Sequence, residues 1–221
     1  MTFLSRYQNE VLRAMTSVDL TKVNMAINWF HEVRLQGGTI FVAGNGGSAA
    51  TASHFVCDLL KGASHGRETR FRILALTDNL PTLTAYSNDV GYDAVFVEQL
   101  KNFAQPGDLY VAVSGSGNSS NVIRAMEYAK STGCRTLALT GCSGGKLASL
   151  AELNIHVPAH HMGCVEDVHM IICHMIAYYF MQGESGIDAA EFLVAGEPAN
   201  MDQAVAIGVN KFEGIMHEKV A

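Results

Sequence analysis

Residues 39–55 read TIFVAGNGGSAATASHF. A short apolar run rich in β-branched residues enters a glycine-rich turn, and the turn opens a helix, which is how a strand of a parallel sheet feeds a βα loop. Working outward, the unit recurs at RILALT (72–77), DLYVAVSGSG (108–117), RTLALTG (135–141) and LNIHV (153–157). Each run is separated from the next by enough chain for the crossover helix that parallel neighbours require. Five strands with intervening helices predict an α/β fold built on a doubly wound parallel sheet.

On the N-terminal side, Leu4, Tyr7, Val11 and Leu12, then Val23, Ala26, Ile27, Phe30 and Val33, recur at helical spacing with a break near 17–19. Two opening helices over 3–36 follow from this. Towards the other end, 166–182 reads as a long helix, too apolar all round for a surface position, and is expected to be buried by the sheet and a partner subunit together. Beyond Gly183 the composition shifts to Gly, Glu and Ala, with an amphipathic turn read over 201–212. The domain plan is N-terminal helices over 1–36, a core domain over 37–183 and an appendage over 184–221.

The chain has 221 residues, 48% of them hydrophobic and 16% charged. That charged share is well below the roughly 25% of ordinary soluble domains, so much of the surface must be covered and a large subunit interface is expected. A net charge of -6 removes the electrostatic footprint of a non-specific nucleic-acid binder. The charge-free stretch 168–183 is shorter than the roughly 20 residues of a spanning helix, so no membrane anchor is expected. Arg6 and Glu10 interrupt what would be the apolar centre of a secretory leader, which points to the cytoplasm. Five cysteines, odd in number and without a CxxC, are read as reduced packing residues.

Ligands of open parallel sheets bind outside the carboxyl ends of the strands. Ser114, Ser116, Ser119 and Ser120 lie in VSGSGNSSNV, where hydroxyls and free N–H groups meet at a predicted helix N-terminus whose dipole favours an anion. The loop lacks the lysine of a Walker motif and the GxGxxG order with a later ribose-binding acid, so a sugar phosphate fits better than a nucleotide. Plain helix capping is the alternative, and the density of serines weighs against it. In GNGGSAATASH, Gly44, Gly46 and Gly47 allow close backbone approach, and Asn45 and Ser48 reach the same end of the sheet.

His54 and Asp58 follow four apart on one helix face. Glu166 and His174, eight apart, lie about 80° apart around theirs. These four side chains suit a divalent ion, zinc or another first-row metal. Equally, one carboxylate and one imidazole near a phosphate cradle can move a proton between adjacent carbons of a sugar. Spacing alone does not bring the two helices face to face.

Taken in order, GNGGSAATASHF, VSGSGNSSNVIRAMEYAKSTGCRTLALTG, GGKLASLAELNIHVP and VEDVHMIICHMI resemble the sugar isomerase (SIS) domain family, over residues 1–182. The resemblance implies a three-layer αβα sandwich with a flavodoxin-like five-stranded sheet, and a homotetramer with active sites at subunit contacts. It implies that Ser114, Ser116 and Ser119 hold a substrate phosphate, with Asn45, Gly46, Gly47, Ser48 and Glu166 completing the substrate site. The implied reaction converts sedoheptulose 7-phosphate into D-glycero-D-manno-heptose 7-phosphate through a cis-enediol, towards the heptoses of lipopolysaccharide and other surface glycans. Asp58 is implied as base and His174 as proton shuttle, with Zn2+ held by His54, Asp58, Glu166 and His174.

Two positions depart from the family pattern. A segment usually like HFAEEL is HFVCDL here, so the base is an Asp, and the Gln usual eight residues before the catalytic His is Glu166. The alternatives are a non-catalytic SIS module, of the kind that binds a bacterial replication initiator, and an isomerase of another phosphorylated sugar. A retained carboxylate at 58 and His174 favour an enzyme.

Overall fold

A computed structural model describes residues 2–183; the appendage and the turn read over 201–212 lie outside them. Two helices open the chain, α1 (Phe3–Thr16) and α2 (Leu20–Leu35). Asp19 starts the second by accepting hydrogen bonds from the Thr21 and Lys22 amides, which satisfies donors that the first helical turn leaves free.

Strands β1 (Thr39–Gly44), β2 (Arg72–Ala75), β3 (Leu109–Ser114), β4 (Arg135–Gly141) and β5 (Leu153–Val157) form one parallel sheet in the order β2-β1-β3-β4-β5. This is the flavodoxin-like winding. α3 (Gly47–Cys57) leads from β1 to β2; α4 (Leu80–Asp89) and α5 (Val97–Phe103) return the chain to β3. α6 (Ser120–Thr132) and α7 (Leu147–Leu150) follow β3 and β4, and α8 (Met162–Gly183) follows β5. α8 begins four residues ahead of the sequence reading, because Cys164 and Val165 are fully buried and extend its core face.

Successive strand side chains point to opposite faces, so the sheet divides two cores. Leu109, Val111, Val113, Leu137 and Leu139 join residues of α2, α3 and α8 on one face. Tyr110, Ala112 and Ala138 join α5 and α6 on the other. β3 is buried along its whole length, whereas the edge strand β5 alternates buried and half-buried positions. All five cysteines are free thiols, with Cys134, Cys164 and Cys173 buried. Among the described residues, no helix is long and apolar enough to cross a membrane.

The winding reverses between β1 and β3, which pair from Ile40 with Leu109 to Gly44 with Val113. Their outgoing loops therefore diverge, one into α3 and the other into α6 on the opposite face. A crevice opens between them at the carboxyl ends of the strands.

α8 also carries His169 into the core, with no exposure at all. Burial pushes its pKa down from 6.5 to about 4, against a smaller opposing pull from the Thr140 backbone. A group whose folded pKa is depressed contributes stability that is intact above pH 6.5 and is lost as pH falls towards the folded value. At about pH 5 the loss attributable to this group is about 2 kcal/mol. Urea unfolding should show this extra acid sensitivity in the native sequence and its removal in His169→Leu. An unchanged acid slope in the variant would assign the effect to another group.

Candidate functional site

β1 ends at Gly44, where an added Cβ would lie 2.7 Å from the Ser48 carbonyl oxygen, so only glycine lets the loop fold back this tightly. Gly46 sits at φ +57° as the N-cap of α3, a conformation that costs other residues energy. Asn45 between them does not hang free. Its amide exchanges two 2.9 Å hydrogen bonds with the buried Asn121 on α6, and its Oδ1 also accepts from the Tyr92 hydroxyl at 2.8 Å.

At the end of β3 the chain turns through 114–119. Ser114 Oγ accepts from the Gly117 amide and Ser116 Oγ from the Asn118 amide, both at 3.2 Å. Gly117 has φ +64°, and a Cβ there would lie 2.0 Å from the Gly144 carbonyl oxygen. Ser119 is the N-cap of α6, and its hydroxyl makes no capping bond. Serine hydroxyls and the positive end of a helix thus come together at this turn, an arrangement suited to an anion.

These two loops line a cavity of about 280 Å³. Asn45, Gly46, Gly47, Ser48, Ser114, Ser116, Ser119 and Glu166 all border it, together with Val113, Gly115 and Met162. The structure therefore gathers every substrate-site residue expected from the sequence around one space. Asn121, in a first helical turn, and Tyr92, at the start of a 3-10 turn over Tyr92–Ala94, carry no sequence motif, and only their contacts to Asn45 single them out.

α3 and the turn that continues it to Gly62 meet α8 at three levels. Gly47 faces Glu166, His54 faces His174, and Gly62 faces Met181. Each step is seven or eight residues on both segments, or about two turns, so the two run side by side in the same direction. At the middle level His54 Nε2 and His174 Nε2 are 3.1 Å apart, and Asp58 Oδ2 lies 3.3 Å from the first and 3.7 Å from the second. Asp58 opens a π-helical turn over Asp58–Gly62, in which the Ala63 amide reaches back to the Asp58 carbonyl. The wider turn keeps Leu59 and Ala63 fully buried while Asp58 stays beside His54.

Asp58 Oδ2 is a buried oxygen without a well-directed hydrogen-bond donor. Two imidazole nitrogens and this oxygen, mutually within 4.8 Å, form a donor set that fits a first-row divalent cation. Glu166 is not in this group. Its carboxylate lies against Gly47, where an added Cβ would be 2.4 Å from Oε1. Of the four side chains implied by the resemblance, His54, Asp58 and His174 converge in this structure, and the Glu166 side chain stands one level lower on the seam. His54 and His174 are 50% and 41% exposed, so the trio is open to solvent.

A family profile described as SIS domain matches residues 5–141. The probable phosphoheptose isomerase of Thermoplasma volcanium is 43% identical over 173 residues, 78% of this chain and 88% of that one. The phosphoheptose isomerase of Aliarcobacter butzleri is 41% identical over 145 residues, 66% of this chain and 76% of that one. Among solved structures, phosphoheptose isomerase GmhA from Neisseria gonorrhoeae superposes with a TM-score of 0.74 at 31% identity, over 80% of this chain and 96% of that one. A phosphoheptose isomerase from Francisella tularensis gives 0.76 at 27% identity, over 82% and 100%. With the profile spanning most of the chain up to β4 and both glycine loops framing one cavity, the chain belongs to the SIS domain family.

Proposed function

We propose that the chain is an aldose–ketose isomerase converting sedoheptulose 7-phosphate into D-glycero-D-manno-heptose 7-phosphate, a step towards the heptoses of surface glycans. The observation that carries this reading is the serine-lined cavity at the start of the α3–α8 seam, with a carboxylate and two imidazoles two turns further along it. The related isomerases named above agree with it. No feature of the site favours the non-catalytic alternative.

In this reading the 114–119 loop and the N-terminus of α6 hold the phosphate, and Asn45, pinned by Asn121 and Tyr92, keeps the opposite loop at a set distance. The sugar then extends along the seam. Asp58 removes a proton from C1 of the ketose and returns it to C2, and His174 carries the balancing proton from O1 to O2. C1 and O1 each lose one proton and C2 and O2 each gain one, so ketose becomes aldose without net uptake. Asp58 Oδ2 makes no well-directed hydrogen bond and stands 3.3 Å from His54 Nε2, a position that suits a base. Zinc bound by His54, Asp58 and His174 would supply Lewis-acid stabilisation of developing negative charge on the sugar oxygens.

A homotetramer belongs to the same proposal. Phe3 and Leu4 on α1 are 61% and 77% exposed, and Met175, Tyr178 and Tyr179 stand exposed on α8 beside His174. Such apolar surface marks an interface, and a partner there would close the open side of the trio. Light scattering should give about four times the 23.8 kDa chain mass; a monomer at micromolar concentration would remove the shared-site reading.

Purified protein incubated with sedoheptulose 7-phosphate should form aldose, and His174→Gln and Asp58→Asn should each lower the rate by about 100-fold or more. Elemental analysis should find about one zinc per chain in protein offered zinc and little in Asp58→Asn. Wild-type protein that takes up none would leave Asp58 as a base alone.

Charge-assisted hydrogen bonds to a phosphate contribute about 1.5 to 3 kcal/mol each. Ser116→Ala should therefore weaken sugar-phosphate binding at least several-fold, and the Ser114, Ser116, Ser119 triple alanine variant more so. Equal binding by the triple variant would refute the cradle.

A further inference from the structure

The loop between β4 and α7, residues 142–146, follows a strained backbone path. Cys142, Gly144 and Gly145 all have positive φ, at +50°, +81° and +54°, and for Cys142 that conformation is costly enough to persist only where its surroundings fix it. One anchor is its own amide, which donates to the Ala159 carbonyl just beyond β5 at 3.0 Å. The other is the serine loop. The Lys146 amide donates to Asn118 Oδ1 at 3.1 Å, and an added Cβ at Gly145 would lie 2.5 Å from the Ser116 carbonyl oxygen.

The carbonyls of the serine loop show what this contact does. Gly115 O accepts from the Gly141 amide and Gly117 O from the Leu147 amide, both at 3.1 Å, and Ser116 O accepts from Asn118 Nδ2 at 3.2 Å. Three successive carbonyls are thus each held by a donor on a residue that does not border the cavity. A carbonyl oxygen turned towards a phosphate would repel it, so a cradle must keep these groups engaged elsewhere. Two of the three donors are main chain. The third is the Asn118 side chain, whose other end is gripped by the Lys146 amide.

We propose that Asn118 is a positioning residue of the phosphate cradle, clamped by the 142–146 loop so that its amide group holds the Ser116 carbonyl away from the bound anion. It acts without touching substrate, since neither Asn118 nor any residue of 142–146 lines the cavity. The inference rests on the phosphosugar reading and adds to it a loop that the reading does not use.

Two measurements on the full chain test it: affinity for inorganic phosphate by calorimetry, and KM and kcat for sedoheptulose 7-phosphate. Asn118→Ala removes both side-chain bonds, and Gly145→Ala drives a methyl group against the same carbonyl from the facing loop. Each should weaken inorganic phosphate and raise KM by about tenfold, with a smaller change in kcat, because Asp58 and His174 stand on the α3–α8 seam. A merely structural role would lower the folded fraction, and with it the apparent kcat, and leave KM as it was. Phosphate affinity and KM within about twofold of wild type in Asn118→Ala, or a loss confined to kcat, would overturn the positioning role and leave the phosphosugar reading in place. Wild-type protein that binds inorganic phosphate but leaves sedoheptulose 7-phosphate unchanged would overturn the heptose step alone, and the phosphate affinities of the variants would still decide the role of Asn118. Wild-type protein that binds neither would overturn both.

Discussion

Two backbone loops leave adjacent parallel strands and must be held a fixed distance apart, and the Asn45–Asn121 amide pair is what spans them. The pair is reciprocal, so each amide satisfies the other, and Asn121 is almost fully buried. Burying such groups unpaired would be costly, which makes the separation of the two loops stiff. Everything the cavity does depends on that separation. Glycines serve the same constraint from the backbone side: at Gly44 and Gly117 neighbouring main chain comes so near that a methyl group cannot enter.

The second organising feature is the seam between α3 and α8. Because the two run in the same direction, a seven- or eight-residue step on one matches the same step on the other, and residues distant in sequence meet at regular levels. The level at Glu166 belongs to the cavity and the level at His174 to the His–Asp–His trio. Binding and proton transfer are thereby placed about two turns apart, a spacing that an extended sugar phosphate can bridge. The π-helical turn at Asp58 adjusts the fit locally, keeping Leu59 in the core while the carboxylate stays beside the imidazoles. Turns of this kind recur at functional sites because they re-aim a side chain without ending the helix.

Strand content was legible in the sequence because buried parallel strands read as short apolar runs. RTLALTG and LNIHV match β4 and β5 residue for residue. RILALT is longer than β2, which ends at Ala75 on the sheet edge, although the Leu76 amide still donates to the Val42 carbonyl. The serine loop was legible for a local reason, since a phosphate cradle is assembled from a few consecutive residues. Asn121 and Tyr92 were not, because their importance lies in contact with Asn45, 76 and 47 residues away in the chain.

What the sequence by itself determined was the alternation of strands and helices, the two glycine loops at strand ends, and the shortlist of carboxylates and imidazoles capable of chemistry. These follow from short-range rules of periodicity, chain reversal and side-chain type. Only the tertiary structure decided which carboxylate joins the imidazoles. The sequence offered His54, Asp58, Glu166 and His174 together as one set; in the fold Asp58 stands with His54 and His174, while Glu166 lies against Gly47 and borders the cavity. The reason is physical: the level at which two helices meet is set by how each packs on the sheet, and His54 and His174 are 120 residues apart along the chain.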